Sequence, residues 1–149
     1  MTLHISHATP DDLEDLAKIL AETETHYGEA EPYPAIVENI KRSVFGDPPH
    51  AYVILARNQG SVVGYAAYSY LWPAVRSTCS LFLKELYVSA DHRNHGIGRR
   101  LMEELAEIAS SRHCSRIEWM TENENRDAQE FYRQLGHTPS HGKLHYRID

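Results

Sequence analysis

The chain is predicted to be an α/β protein built on one mixed sheet, in the order β-α-α-β-β-β-α-β-α-β, rather than a doubly wound parallel sheet. Three observations predict this. A short β run precedes two helical stripes, three β runs then follow in succession, and helices and strands alternate from there to the end. No repeat, low-complexity tract or linker interrupts the order, so residues 1–149 read as a single domain.

The opening strand is Leu3 to His7. Thr9-Pro10-Asp11-Asp12 is a helix start, with an N-cap Thr, Pro in the first turn and a carboxylate three residues after the cap. Leu13, Leu16, Ala17 and Leu20 carry one helical face to about Thr23. Ile36, Ile40 and Val44 mark a second helix, about Pro34 to Phe45, stopped by Gly46. Ala51 to Arg57 and Ser61 to Leu71 are β runs joined by a hairpin turn at Asn58-Gln59-Gly60, and Ser80 to Val88 is a third. After a polar loop, Leu101, Met102, Leu105, Ile108 and Ala109 share one helix face. Arg116 to Thr121 alternates as a strand. Asp127 to Leu135 sets Ala128, Phe131, Tyr132 and Leu135 on one stripe ended by Gly136, and Lys143 to Ile148 predicts a last strand.

Composition narrows the function classes. With 15 Lys+Arg against 21 Asp+Glu, the net charge is −6, and 42% of residues are hydrophobic and 24% charged, the balance of a folded core. An acidic surface excludes a general nucleic-acid binder, which needs a basic face, but leaves room for an anion at a local basic loop. Cys79 and Cys114 lack metal-ligand spacing and read as two buried thiols in a cytoplasmic protein. The ten His show no ligand spacing either, so no metal site is expected. Met1-Thr2-Leu3-His4 does not start a signal peptide, and the longest uncharged run, Asn58 to Val75, alternates like paired strands rather than a membrane helix.

The informative segment is LFLKELYVSADHRNHGIG, Leu81 to Gly98. A strand enters a loop, Ser89 to His95, and a helix begins at the glycines. The unpaired amides of a helix's first turn converge there, and the helix dipole adds partial positive charge, which together make an anion site. Gly96 and Gly98 would let a phosphate approach the backbone without a Cβ in the way. Arg93, Arg99 and Arg100 oppose the dipole at this end, so their placement asks for a compensating anion. The competing reading is a plain strand-to-helix bend with solvated arginines. A dinucleotide loop is disfavoured by the R-x-x-G-x-G spacing and the late position, and a Walker lysine is missing.

Arg93-Asn94-His95-Gly96-Ile97-Gly98 resembles the (Q/R)-x-x-G-x-(G/A) signature of the GNAT superfamily of acetyl-CoA-dependent N-acetyltransferases. The preceding strand ending Leu86-Tyr87-Val88, the amphipathic helix after the loop, and Asn125-x-x-Ala128-x-x-Phe131-Tyr132-x-x-x-Gly136 follow in the family's order. Tyr65, Tyr68 and Tyr70 with Leu71-Trp72-Pro73, the LFLKELYV strand and the ending Tyr146-Arg147-Ile148-Asp149 look most like its diamine/polyamine branch. The resemblance implies a twisted, mostly antiparallel sheet flanked by helices, acetyl-CoA as cosubstrate, a small amine as acceptor, no nucleic acid or membrane partner, and a homodimer with the C-terminal strand as one contact. It implies that amides from Asn94 through His95, Gly96, Ile97 and Gly98 to Arg99 hold the pyrophosphate, with Arg93 and Arg99 near phosphate. Leu86, Tyr87 and Val88 would flank the pantetheine arm, the main chain of Leu86 and Val88 pairing with it where this strand splays from its neighbour. Asn125 would bond the pantetheine region, and Tyr132 would donate a proton to the departing thiolate. The branch's acidic pair reads Lys84-Glu85 here, so Glu85 is the candidate base.

Each of these residues has a plainer alternative. Glu85 in an apolar strand suits either catalysis or an ion pair with an arginine. Tyr132 lies on the apolar stripe of its helix, which alone favours a core position, whereas the Asn125 motif favours the catalytic role. Tyr70 and Trp72 suit an amine pocket through cation–π contact or simple edge packing. Glu22, Glu24, Glu29 and Glu31 suit an anionic wall for an ammonium group or a solvated acidic face. His95 is a candidate phosphate contact. Amine attack on a thioester needs a base, a polarised carbonyl and a proton for sulfur, which carboxylate, backbone amide and Tyr supply. Alternative functions are acetylation of a protein N-terminus or lysine, and a non-catalytic CoA-binding module.

Overall fold

In the computed structural model, which describes residues 2–149, the chain starts as β1 (Leu3–His7) and reaches α1 (Leu13–His26) through a 3-10 turn at Pro10–Asp12. The Thr9 amide donates to Asp12 Oδ2 at 2.8 Å, and Asp12 Oδ1 accepts from Arg57 at 2.6 Å, tying the helix start to the sheet. α1 runs three residues past the expected end at Thr23, whose hydroxyl folds back onto the Ile19 carbonyl at 2.8 Å without breaking the helix. α2 (Tyr33–Ser43) ends earlier than expected, because the Ser43 carbonyl turns to accept the amides of His50 and Ala51 at 2.7 and 3.2 Å.

β2 (Tyr52–Asn58) and β3 (Ser61–Leu71) form the expected hairpin. Both residues of its turn, Gln59 (φ 52°) and Gly60 (φ 84°), are left-handed, as a two-residue turn matching strand twist requires. β4 (Cys79–Val88), α3 (Ile97–Ser111), β5 (Cys114–Trp119) and α4 (Arg126–Gln134) complete the chain. The strands lie in the order β1-β2-β3-β4-β5, with every pair antiparallel except β4 and β5, which run parallel.

The sheet separates two cores. On one face Leu16, Ile36 and Ile40 of α1 and α2 pack on Leu55, Tyr65 and Tyr87. On the other, Leu101 and Leu105 of α3 pack on Ile54, Ala66, Leu81 and Leu83. No helix among the described residues is long and apolar enough to cross a membrane.

Three expectations need correction. The strand expected over Lys143 to Ile148 does not form: Leu144, Tyr146 and Ile148 are 79%, 83% and 100% exposed and pair with no strand among the described residues. An extended segment without ladder bonds does not recover the backbone entropy of being ordered, so alternation alone does not make a strand. β5 starts two residues earlier than expected, where Cys114 meets Cys79 in register, and it ends at Trp119, the last residue with a β4 partner. The two cysteines, expected to be buried thiols, are half-buried neighbours across that pair.

Candidate active site

Asn94 (φ 64°) and Gly96 (φ 79°) bend the loop after β4 so that it meets α3 end-on. Such left-handed positions turn successive amides to one side, a cradle for anions. The first α3 amide with a helical acceptor is Arg100, bonding the Gly96 carbonyl at 3.1 Å. The amides of Ile97, Gly98 and Arg99 therefore point out of the helix end. A Cβ on Gly96 would meet nothing within 4 Å, so this side of the loop is open. Gly98 differs from expectation: a Cβ there would lie 2.9 Å from Phe131 Cζ, so it admits α4 against α3 rather than a phosphate.

The arginines divide. Arg93 bends back, donating from Nε to the Val88 carbonyl at 2.9 Å with its guanidinium 5.5 Å from the Tyr87 ring centre. Arg99 borders a cavity of about 440 Å³ between α3, β5 and the end of α4, with Met102, Trp119, Leu135 and His137. Asn94, His95 and Arg100 are exposed on the loop and the helix start.

Beside this loop β4 loses a neighbour. Its ladder with β5 ends at Leu83 opposite Trp119, while its ladder with β3 continues through Leu86 opposite Ala66 to Val88 opposite Gly64. From Lys84 to Val88 the strand thus presents an unpaired main-chain edge on its β5 side. A bulge adds a second effect. Leu83 pairs with Tyr68 and Glu85 with Ala67, leaving Lys84 without a β3 partner and exposed. The extra residue reverses the alternation, so Leu83 faces α3 whereas Glu85 faces α1.

There Glu85 Oε1 accepts the Tyr65 hydroxyl, so its partner is a phenol and not an arginine. Tyr65, fully buried, also reaches Thr23 Oγ1 at 3.3 Å. Burial and then the Glu85 charge hold the Tyr65 hydroxyl protonated far above the usual phenol range. The end of α1 brings more acid. The Tyr87 hydroxyl donates to Glu22 at 2.7 Å, and burial, followed by Glu31, pushes the Glu24 carboxyl up. Burial and the Glu85 charge also raise Tyr27.

Tyr132 lies on α4 with its ring 5.1 Å from those of Trp119 and Phe131. Burial first, and Tyr27 second, push its hydroxyl up to about 12, so it carries a proton at neutral pH. Tyr27 thus lies within electrostatic reach of both Glu85 and Tyr132. Asn125 caps α4, its Oδ1 accepting the Ala128 amide at 3.1 Å.

Glu29 is exposed just past α1, its amide on the Glu24 carbonyl at 2.7 Å. Tyr70 and Trp72 are not brought to Glu85. Tyr70 packs on the α3 side of the sheet with Tyr52 and Tyr68, at 5.6 and 5.8 Å. Trp72 is 69% exposed and closes its own loop through the Ser77 carbonyl at 2.8 Å. Conversely, Tyr65, Thr23 and Tyr27 join the site without having been expected there. Their partners lie 20 residues or more away in sequence, beyond any local spacing signal.

Residues 13–137 match the acetyltransferase (GNAT) family model. The thialysine N-epsilon-acetyltransferase of Mus musculus is 26% identical over 97% of this chain and 91% of that protein. An integron cassette protein from the mobile metagenome of V. cholerae superposes with a TM-score of 0.92 at 30% identity, over 100% of this chain and 93% of its own. An aminoglycoside N-acetyltransferase in complex with CoA shares the fold at TM-score 0.82 and 19% identity, over 99% and 95%. With the family model spanning most of its length and carrying both the glycine loop and α4, this chain is a member of the GNAT acetyltransferase family.

Proposed function

We propose that the chain transfers acetyl from acetyl-CoA to a primary amine of a small diamine, polyamine or amino-acid-like compound, by direct attack in a ternary complex. The observation that carries this reading is the unpaired edge of β4, which runs into the α3 amides on one side and carries Glu85 on the other. The donor set fits acetyl-CoA. Outward amides of Ile97, Gly98 and Arg99 with the open Gly96 loop suit its pyrophosphate, Arg99 suits a phosphate, and the free main chain of Leu86 and Val88 suits the amides of its pantetheine arm. Acetyl-CoA supplies the acyl group as a thioester.

The chain's own residues do the remaining work. Glu85, facing the acidic end of α1, takes the proton that leaves the ammonium group and so frees the nitrogen lone pair. Glu24 near it, with Glu31 against Glu24, favours a cationic acceptor. Tyr132 Oη holds a proton for the sulfur that departs. The similarity to a thialysine N-epsilon-acetyltransferase supports an amine acceptor. Two free thiols, Cys79 and Cys114, support a reducing, cytoplasmic setting. The exposed Leu144, Tyr146 and Ile148 support a homodimer contact through the C-terminal segment, and a monomer mass by light scattering would contradict it.

The test is thiol release from acetyl-CoA across an amine panel. Tyr132→Phe and Glu85→Gln are each expected to lower kcat by about 10²-fold or more. Undiminished turnover in both would refute these roles, and failure of the wild type to bind CoA by calorimetry would remove the reading altogether.

A further inference from the structure

The Tyr65 hydroxyl has one proton and two acceptors. It donates to Glu85 Oε1, and Thr23 Oγ1 lies 3.3 Å away. Thr23 cannot return a proton, because its own hydroxyl donates to the Ile19 carbonyl at 2.8 Å. Thr23 is therefore purely an acceptor toward Tyr65. Both side chains are buried, at 0% and 2% exposure, so water does not compete for the bond.

We propose that Tyr65 and Thr23 are positioning residues for Glu85, forming a relay in which the Tyr65 O–H turns from Glu85 to Thr23 when Glu85 becomes protonated. The proposal rests on the reading of Glu85 as the base. In the step served, one N–H bond of the ammonium group breaks and one O–H bond forms at Glu85, while Tyr65 keeps its own proton and only rotates. Ionised, Glu85 is much the stronger acceptor and holds the Tyr65 proton. Once neutral, it is no better an acceptor than a hydroxyl, whichever of its oxygens carries the proton. Thr23 then gives Tyr65 an alternative and spares it a buried, unsatisfied donor. Tyr65 thus favours the charged form of Glu85, and Thr23 the neutral one.

Other groups facing Glu85 belong to the background that every variant shares. They are Glu24 and Tyr27 at the end of α1, with Arg93 acting on Tyr27, and Tyr87 on the same strand with Glu22 and His26 against it.

Opposed signs test the relay. The readout is the pH midpoint of the Glu85 carboxyl carbon, followed by ¹³C NMR in the ligand-free protein, with the Glu85→Gln spectrum assigning the resonance. Tyr65→Phe keeps the ring but removes the donor, and is expected to raise the midpoint by about one pH unit. Thr23→Val keeps the shape but removes the acceptor, and is expected to lower it by about half a unit. Thr23→Ser retains Oγ and should stay at the wild-type value. Shifts in the same direction, or a Thr23→Val midpoint equal to wild type, overturn the relay. Should Tyr65→Phe fail to fold, the difference between Thr23→Val and Thr23→Ser decides alone. The base reading fails separately, if Glu85→Gln retains wild-type turnover, because the NMR midpoints do not depend on catalysis.

Discussion

Gly98→Ala probes the coupling between the anion loop and the helix that carries Tyr132. The new Cβ would lie 2.9 Å from Phe131 Cζ and 3.2 Å from Cε1. An ordinary carbon contact is about 3.5–4.0 Å, so α4 must recede by roughly 0.6–1 Å or Phe131 must leave its rotamer. Overpacking of this kind costs about 1–3 kcal/mol, and replacing a helical glycine by Ala returns about 1 kcal/mol. The net destabilisation is about 0–2 kcal/mol, a fall in Tm of no more than about 8 °C for a domain of this size. The effect on catalysis is larger. Tyr132, the proposed proton donor, follows Phe131 directly, and a shift of about 1 Å in a reacting group costs up to about 10²-fold. The expected result is a folded protein with kcat reduced about 10- to 100-fold. Phe131→Leu removes the clashing atom, so in the double variant it should restore part of kcat, as a cycle of single and double variants would measure. Wild-type kcat in Gly98→Ala, or no recovery in the double variant, would refute the reasoning.

Two further outcomes follow from side-chain placement. Arg99→Ala should weaken CoA binding about 5- to 10-fold at low salt and less at high salt, since phosphate–cation attraction is screened. Arg93→Ala should weaken it less, because that guanidinium is already held by Val88 and Tyr87, and calorimetry at two salt concentrations separates the two. Burial pushes the Asp12 carboxyl up, but the Thr9 amide and Arg57 more than offset this, and its pKa lies below the ordinary 3.8. A depressed carboxyl contributes stability that is present above its unfolded value and lost as pH falls through its folded one. Asp12→Asn should therefore cost about 1–2 kcal/mol at pH 7 and much less near pH 2–3, as urea melts at the two pH values would measure. An equal loss at both would contradict the Arg57 ion pair as its source.

Much of the candidate site was legible because its signals are local. A glycine where the backbone must turn left-handed, arginines clustered at a helix start, and an apolar stripe holding Tyr132 are each written within about 10 residues. The hairpin at Gln59-Gly60 was legible for the same reason. The last strand was misread because alternation records which residues suit a strand, not whether an edge exists to receive them. Tyr70 and Trp72 lie apart from Glu85 because which sheet face a side chain takes depends on register, and bulges shift register.

The sequence by itself determined the element order through α4, the single mixed sheet, the glycine loop before α3 and the candidacy of Glu85 and Tyr132. Tertiary structure alone decided what Glu85 faces. The bulge at Lys84 turns it toward α1, and chain folding brings Tyr65 and, through it, Thr23 to it from other elements. It also decided that Gly98 serves Phe131 and that Arg93 serves its own strand. The physical reason is the range of the forces. Backbone conformation and helix-end charge act over a few residues, whereas the partner of a buried carboxylate is set by which distant segments fold against it.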